Sequence, residues 1–290
     1  MIQHHLKFAK ATGAGNDFIL IDNRSLAFDS DRSLLARTLC SRHFGIGADG
    51  LILLEPSTRA DFLMRYYNAD GSFGGMCGNG GRCAARFAFH LGIAGTAMTM
   101  EALDFLYSAE ILHETVRLRM KDPSRVMLDK GIVVLNQPHS VCFMDTGAPH
   151  VVVFSDALDS LDVEHLGKEI RYHHVFAPEG TNVNFVHATG ASSTISIRTY
   201  ERGVEAETLA CGTGAVASAV VAHLSRKVTP PVTVRVRSGE DLIVDFHHSG
   251  EDITSVSLEG SASIIFRGNV LYESDGVISR IVDPSSLPVI

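Results

Sequence analysis

Two short stretches, Met76-Cys77-Gly78-Asn79-Gly80-Gly81 and Ala210-Cys211-Gly212-Thr213-Gly214-Ala215, decide how this chain is to be read. Each sets a cysteine before a glycine-punctuated turn, and each turn runs into small, helix-compatible residues. A cysteine at a helix N-terminus faces orphan backbone N–H groups and the positive end of the helix dipole, which favour its thiolate. One such cassette suggests a nucleophile. Two matching cassettes, 134 positions apart, suggest a pair made by duplication.

Working outward, other blocks recur at nearly the same offset. Thr12-Gly13-Ala14 returns as Thr146-Gly147-Ala148, and Arg65-Tyr66-Tyr67-Asn68 as Arg198-Thr199-Tyr200-Glu201. Gly47 finds Gly180, and the order of the blocks is kept. The duplication places a boundary near Lys121-Asp122-Pro123-Ser124, a linker by composition. The first domain is expected to end at about residue 121 and the second to begin at about residue 122.

Each half is strand-rich. Phe18–Ile21, Leu51–Leu54 and Phe62–Tyr67 read as strands in the first half; Val151–Phe154, Asn184–Val186 and Thr194–Tyr200 do so in the second. Thr233–Arg237 and Leu242–Phe246 flank Ser238-Gly239-Glu240-Asp241 as a hairpin. Arg82–Leu91 and Ala215–Leu224 read as helices, the first closed by Gly92 and the second apolar nearly all round and therefore buried. Shorter helices fit Asp31–Leu39 and Val163–Ile170. The predicted fold is α+β: two duplicated domains, each a mostly antiparallel sheet or barrel wrapped around a central helix. Ser279–Pro284 reads as an extra strand or a loose end.

Composition narrows the function. A chain of 290 residues with 45% hydrophobic residues can bury substantial cores, and a net charge of −8 disfavours a nucleic-acid footprint. No secretory signal or membrane span is expected. The five cysteines, Cys40, Cys77, Cys83, Cys142 and Cys211, are odd in number and lack CxxC spacing, so neither a disulfide framework nor a zinc site is expected. A reducing cytoplasm fits best.

Two helix-capping thiols related by a pseudo-two-fold axis would face each other across the interdomain cleft, one on each side of a substrate carbon. That arrangement suits proton abstraction from one face of a stereocentre and delivery to the other. Gly78, Gly80, Gly212 and Gly214 let backbone N–H groups approach a carboxylate and the enolate-like charge that develops as the α-proton leaves. An amino-acid epimerase without a cofactor is the direct reading. Cys40, Cys83 and Cys142 are expected to be inert core residues.

Through these residues the chain resembles the diaminopimelate epimerase family, from about Phe8 to Gly260. The matching motifs are Gly13-Ala14-Gly15-Asn16-Asp17-Phe18, Arg42-His43-Phe44-Gly45-Ile46-Gly47-Ala48-Asp49-Gly50, Asn68-Ala69-Asp70-Gly71-Ser72, the first cysteine cassette through Cys83, Pro149-His150, Gly180-Thr181-Asn182-Val183, Tyr200-Glu201-Arg202-Gly203 and Cys211-Gly212-Thr213-Gly214-Ala215. The resemblance implies that Cys77 and Cys211 are the two bases of a cofactor-independent conversion of LL- to meso-diaminopimelate, in lysine and peptidoglycan-precursor biosynthesis. It implies that Asn16, Asn68, Asn182, Glu201 and Arg202 hold the substrate's polar groups, with the backbone of Gly78-Asn79 and Gly212-Thr213 receiving the reacting carboxylate. An arginine fork suits a distal carboxylate. A homodimer is implied, with a C-terminal strand near Ser261–Tyr272 rejoining the first domain, so that the domains implied are residues 1–121 with about 261–290, and residues 122–260. Ala148 before Pro149-His150, Phe105, and Phe73-Gly74-Gly75 depart from the family pattern.

Other candidates read as structural. Gly45–Gly50 matches G-x-G-x-x-G, but a strand-like run follows where a dinucleotide site needs a helix. The pairs His4-His5, His173-His174 and His247-His248 lack metal-ligand companions and read as solvated loops. His150 is kept for orienting a loop. No lysine sits in a phosphate cup of the kind a pyridoxal enzyme needs. The same chemistry also fits a proline or hydroxyproline racemase. A thiol hydrolase or acyltransferase would leave the second cassette unexplained, and an inactive binding protein would leave both.

Overall fold

The computed structural model describes residues 3–26, 31–188, 193–250, 252–273 and 278–282. It divides into two compact units, one taking in the chain up to Leu118 and again from Ser261, the other Arg119–Gly260. The first unit contains β1 (Gln3–Gly13), β2 (Asn16–Asp22), α1 (Arg32–Cys40), β3 (Gly50–Glu55), β4 (Phe62–Asn68), α2 (Gly78–His90), β5 (Ala97–Ala102), β6 (Phe105–Ile111) and β7 (Thr115–Arg119). The second contains β8 (Ser124–Val134), β9 (Gln137–Asp145), β10 (Pro149–Phe154), α3 (Val163–Arg171), β11 (Asn182–Ala188), β12 (Thr194–Glu201), β13 (Ala206–Thr208), α4 (Gly212–Leu224), β14 (Val232–Arg235), β15 (Asp241–Ser249) and β16 (Asp252–Ser261). Then come β17 (Ser263–Glu273) and β18 (Ile278–Val282).

The ladders repeat. In the first unit the order is β17-β1-β2-β3-β4-β5-β6-β7, with β2/β3 and β4/β5 parallel and the other neighbours antiparallel. In the second it is β8-β9-β10-β11-β12-β14-β15-β16, again with only the third and fifth pairings parallel. β13 is an added hairpin strand on β12. The mostly antiparallel, duplicated α+β fold is therefore as the sequence predicts. The strand that opens this order comes from the far end of the chain in the first unit and from within the segment in the second.

Each sheet buries one face on its central helix and part of the other on an outer helix. Between β4 and β5, α2 packs on β1, β2, β3, β4, β6 and β17; between β13 and β14, α4 packs on β9, β10, β11, β12, β14 and β15. Central strands covered on both sides read as continuous apolar runs, which is why Gly50–Glu55 is buried throughout. Strands covered on one side alternate, as in Ala97–Ala102. The outer core of the first unit joins Leu6, Ile19, Ile21, Leu51 and Leu53 to Leu35 and Leu39 of α1. Its counterpart joins Val151, Val153, Val183 and Phe185 to Val163 and Ile170 of α3. Asp31 caps α1 by accepting from Leu34 N, and Asp162 caps α3 by accepting from His165 N.

Several boundaries differ from the sequence reading. α2 starts at Gly78 rather than Arg82, and α4 at Gly212 rather than Ala215. The glycines lie inside the first helical turn because neighbours crowd them: a β-carbon on Gly80 would sit 3.0 Å from Ile52 Cδ1, and one on Gly214 would collide with Asn184 Oδ1. Gly92, with φ +67°, follows the cap of α2 as expected. β14 stops at Arg235 because Val236 N turns to Glu240 O (3.0 Å). His5, His247 and His248 are exposed but lie on strands, not loops. Ser279–Val282 falls within β18, antiparallel to β17; Asp283 and Pro284 lie outside the described residues. No helix among the described residues is long and apolar enough to cross a membrane.

Candidate active site

Cys77 is the N-cap of α2 with φ −121° and ψ 122°; Cys211 is the N-cap of α4 with φ −122° and ψ 111°. The same residue thus holds the same backbone pose at the same place in both units. Each cysteine carbonyl takes the first helical N–H, from Gly81 (2.7 Å) and from Ala215 (2.9 Å). At the first cap Gly80 N also donates to Cys77 Sγ at 3.4 Å, whereas the Cys211 side chain makes no such cap bond. Orphan N–H groups at a helix start favour negative charge there. Both sulfurs are unbridged; Cys77 is half-buried and Cys211 buried. Cys40 and Cys142 behave as the expected core residues: burial pushes the Cys40 thiol up to about 12 and raises Cys142. Cys83 is fully buried in α2.

In the first unit the residue after Cys77-Gly78 is Asn79, which is buried and donates to Asn16 Oδ1 at 2.7 Å. Asn16 in turn donates to Asp49 Oδ2 at 2.9 Å, while Arg82 Nη2 donates to Asn79 Oδ1 at 2.9 Å. Gly78 supplies its carbonyl to Arg82 Nη1 at 3.5 Å. Asn68 ends β4 and closes a turn, donating to Ser72 Oγ at 2.9 Å and accepting at its carbonyl from Gly71 N. That turn leads through Phe73 and Gly74 towards Cys77, with Gly74 beside the Asn68 side chain. Asn16, Gly78 and Asn79 are therefore brought together at the Cys77 cap.

In the second unit the equivalent position is Thr213, whose hydroxyl lies 3.6 Å from Cys211 Sγ and 2.9 Å from His150 Nε2. The sense of these bonds follows from one group that can only accept. Val151 O takes one N–H of Asn184 at 3.0 Å, so the amide nitrogen also donates its other hydrogen to His150 Nδ1 at 3.1 Å. Asn184 Oδ1 accepts from Thr199 Oγ1 at 3.0 Å. His150 therefore carries its proton on Nε2 and donates it to Thr213 Oγ1, leaving the threonine hydrogen to point at Cys211. Full burial pushes His150 down to about 3, so the imidazole is neutral.

Asn182 donates to Pro149 O at 3.0 Å and accepts from Arg202 N at 2.9 Å, which ties the Arg202 turn beside His150, the ladder partner of Asn182. Arg202 Nη1 donates to Glu179 O at 3.3 Å. Glu201 accepts from Thr208 Oγ1 at 2.9 Å. Gly212 opens α4, and Thr213 O accepts from Thr146 Oγ1 at 3.2 Å. The loop that His150 touches is the cysteine turn itself, through Thr213. Asp49, within the Arg42–Gly50 motif, and Asn184, at the head of a strand, carry no site role by sequence alone. The repeat offset carried the signal for Asp49, since Asn182 shifted back by 133 lands on it and His150 shifted back by 134 lands on Asn16. Gly45–Gly50 joins a helix to a strand, the reverse of the order a dinucleotide site requires. No group of side chains suited to holding a metal occurs among the described residues.

Comparison with known proteins bears on the family and the fold. The family model described as diaminopimelate epimerase matches residues 8–131 and 142–265. A diaminopimelate epimerase of Chlorobaculum tepidum is 48% identical over 265 residues, spanning 89% of this chain and 99% of that protein. One from Aquifex aeolicus is 41% identical over 280 residues, spanning 92% and 99%. Among solved structures, a hydroxyproline epimerase from Agrobacterium vitis with bound trans-4-OH-L-proline has a TM-score of 0.70 at 17% identity, covering 94% of each chain. A phenazine biosynthesis protein of the PhzF family from Bacillus anthracis has a TM-score of 0.71 at 14% identity, covering 92% of this chain and 99% of that one. At such identities these two share the fold.

Proposed function

This chain belongs to the diaminopimelate epimerase family, isomerases of lysine biosynthesis, and we propose that it inverts one α-carbon of diaminopimelate with Cys77 and Cys211 as its two bases. One sulfur enters as thiolate and takes the α-proton, and the electron pair of the broken C–H bond stays on the carbon. The other sulfur enters as thiol and gives its proton to the opposite face of that carbon. The substrate keeps its atoms with inverted configuration, the negative charge has moved from one sulfur to the other, and the reverse reaction exchanges the roles. Both thiols must reach one carbon for this to work. The thiols supply the acid and the base, so the reaction as proposed needs no cofactor.

The supporting observation is the repeated cap: one residue type, one backbone pose and one helix position, in two units with the same strand order. The amides of Gly78-Asn79 and Gly212-Thr213, at helix starts, suit the reacting carboxylate and the charge delocalised onto it. Asn16, Asn68, Asn182, Glu201 and Arg202 are assigned to the substrate's remaining polar groups. His150 is assigned to holding Thr213 against Cys211. Residence in the cytoplasm, which unbridged cysteines fit, and assembly as a homodimer belong to the same proposal.

The test is LL-diaminopimelate in heavy water, with proline as the comparison substrate. Formation of the meso isomer with deuterium at the inverted α-carbon is expected, and no turnover of proline. Cys77→Ala and Cys211→Ala should each lower epimerisation by at least about a thousandfold. Full activity of either variant rules out the two-base mechanism, and a trapped thioester would support an acyl-transfer enzyme instead.

A further inference from the structure

We propose that Asp49 is a positioning residue that fixes which end of the Asn16 side-chain amide is presented to the substrate. The proposal rests on the assignment of Asn16 to substrate binding and adds the device that orients it.

A side-chain amide can turn over and exchange its oxygen for its nitrogen, so its hydrogen-bond sense has to be imposed from outside. Here a line of four groups is closed at each end by a group that cannot change sense. Arg82 can only donate, and gives an N–H to Asn79 Oδ1 at 2.9 Å. Asn79 Nδ2 gives one to Asn16 Oδ1 at 2.7 Å, and Asn16 Nδ2 gives one to Asp49 Oδ2 at 2.9 Å. An ionised carboxylate can only accept. With a cation at one end and an anion at the other, turning over either amide places donor against donor or acceptor against acceptor.

Asp49 is itself held. Its Oδ1 accepts from Arg42 Nη2 at 2.7 Å, and its Oδ2 accepts from Asp17 N at 3.2 Å. Asp17 returns the contact, with Oδ1 accepting from Asp49 N at 3.0 Å. Lys10 pairs with Asp17 at 2.7 Å, and Arg42 reaches both acids. The carboxylate that orders Asn16 is thus fixed by backbone and cation together.

Valence then states what Asn16 can offer a ligand. Beyond the two bonds described, its nitrogen retains one hydrogen on the Asp49 side and its oxygen one lone pair on the Asn79 side. An amino-acid head carries an acceptor carboxylate and a donor ammonium on one carbon. An amide of fixed sense binds that head in one orientation, whereas an amide free to turn over would meet half its encounters with like against like.

The experiment compares wild type, Asp49→Asn, Asp49→Ala, Asn16→Ala and the Asn16→Ala/Asp49→Asn double variant. Asp49→Asn keeps the shape but leaves one oxygen for three donors: Arg42, Asn16 and Asp17 N. KM for diaminopimelate should rise about tenfold in Asp49→Asn and more in Asp49→Ala, with kcat within about threefold, as expected when binding common to ground and transition states is lost. In the Asn16→Ala background the Asp49→Asn change should add nothing, because Asp49 acts through Asn16. Full additivity, or an unchanged KM in both single variants, overturns the proposal. A second readout needs no substrate: one of the two Asn16 Nδ2 protons should exchange slowly in wild type, and that protection should vanish in Asp49→Asn. Equal, fast exchange in wild type overturns the proposal even if the enzyme is active. A wild type that leaves diaminopimelate untouched but keeps the slow proton counts against the substrate assignment alone.

Discussion

Arg82 and Arg86 stand in α2 where, 134 positions on, Val216 and Val220 stand in α4. All four are buried. The two helices begin on cysteines of matching backbone pose and are wrapped by strands in the same order, so the contrast isolates what duplication left free to change. Arg82 donates to Ser261 O (3.4 Å), and Arg86 to Ala262 O (3.2 Å), His113 O and Thr115 O. Ser261 and Ala262 are where the chain re-enters the first unit to form β17. The second unit draws β8 from its own segment and joins it to β9 through a two-residue turn, Leu135-Asn136, with both φ positive. It needs no such anchor, and at these positions α4 packs through apolar side chains. The backbone and the cysteine are shared; the side chains around them follow how each sheet is completed.

The sharpest way to break this comparison is Arg82→Met against Val216→Ala. The first removes a buried donor from the carbonyls of Ser261 and Gly78 and from the Asn79 amide, and should cost about 3 kcal/mol in urea unfolding. The second leaves only a small cavity and should cost about 1 to 2 kcal/mol. Equal losses would mean that the arginines do no more than fill space.

The two cysteine turns differ in the same spirit. Gly214→Ala drives a methyl into Asn184 Oδ1, an atom held by Thr199 and part of an amide that also holds His150 and Val151. It should lower stability by about 2 kcal/mol and loosen Thr213 from Cys211. Gly80→Ala crowds only the flexible end of Ile52, with Cys77 Cβ and Met64 Cε at ordinary contact distance, and the helix propensity gained by alanine offsets the squeeze, so a change under about 1 kcal/mol is expected. Thermal denaturation of the pair measures the difference.

A further difference between the units shows only as pH falls. His150 titrates at its usual 6.5 in the unfolded chain but near 3 in the folded one, so the unfolded state binds more protons as pH falls through that interval. Stability is therefore complete above about pH 6.5 and declines towards pH 3, by about 2 kcal/mol between pH 7 and pH 5. His150→Gln should abolish that slope. Its repeat counterpart Asn16 does not titrate. His90 shifts the same way but is exposed at the end of α2, where solvent screens it. The carboxylates held below their usual range, such as Asp17, whose burial is outweighed by Arg42 and Lys10, lose their contribution only below about pH 4. An unchanged slope in His150→Gln would place the acid sensitivity elsewhere.

The fold was legible where the sequence repeats itself. Glycine blocks at one offset implied the duplication, and continuous apolar runs such as Leu51–Leu54 marked the central strands. Strands covered on one face, such as β5 and β6, carry a short alternation that charged and small residues dilute, and they went unread. Helix starts were misplaced because glycine counts against a helix by propensity, while at Gly214 the closeness of Asn184 Oδ1 demands it. The cysteines and their neighbours were legible because they are contiguous. Asp49 and Asn184 were not, because their roles come from parallel ladders that join distant segments and from hydrogen-bond sense, which no spacing encodes.

The origin of β17 has one more consequence, for the order in which the molecule can be made. Synthesis runs from the N-terminus, and domains usually fold as they emerge. Here Arg119–Gly260 leaves the ribosome as one complete segment, whereas the edge of β1 has no partner until residues 263–273 have followed. The N-terminal unit, first to be translated, is the last that can be finished. In the interval β1 presents an open row of backbone donors and acceptors, the kind of edge on which chains stick to one another.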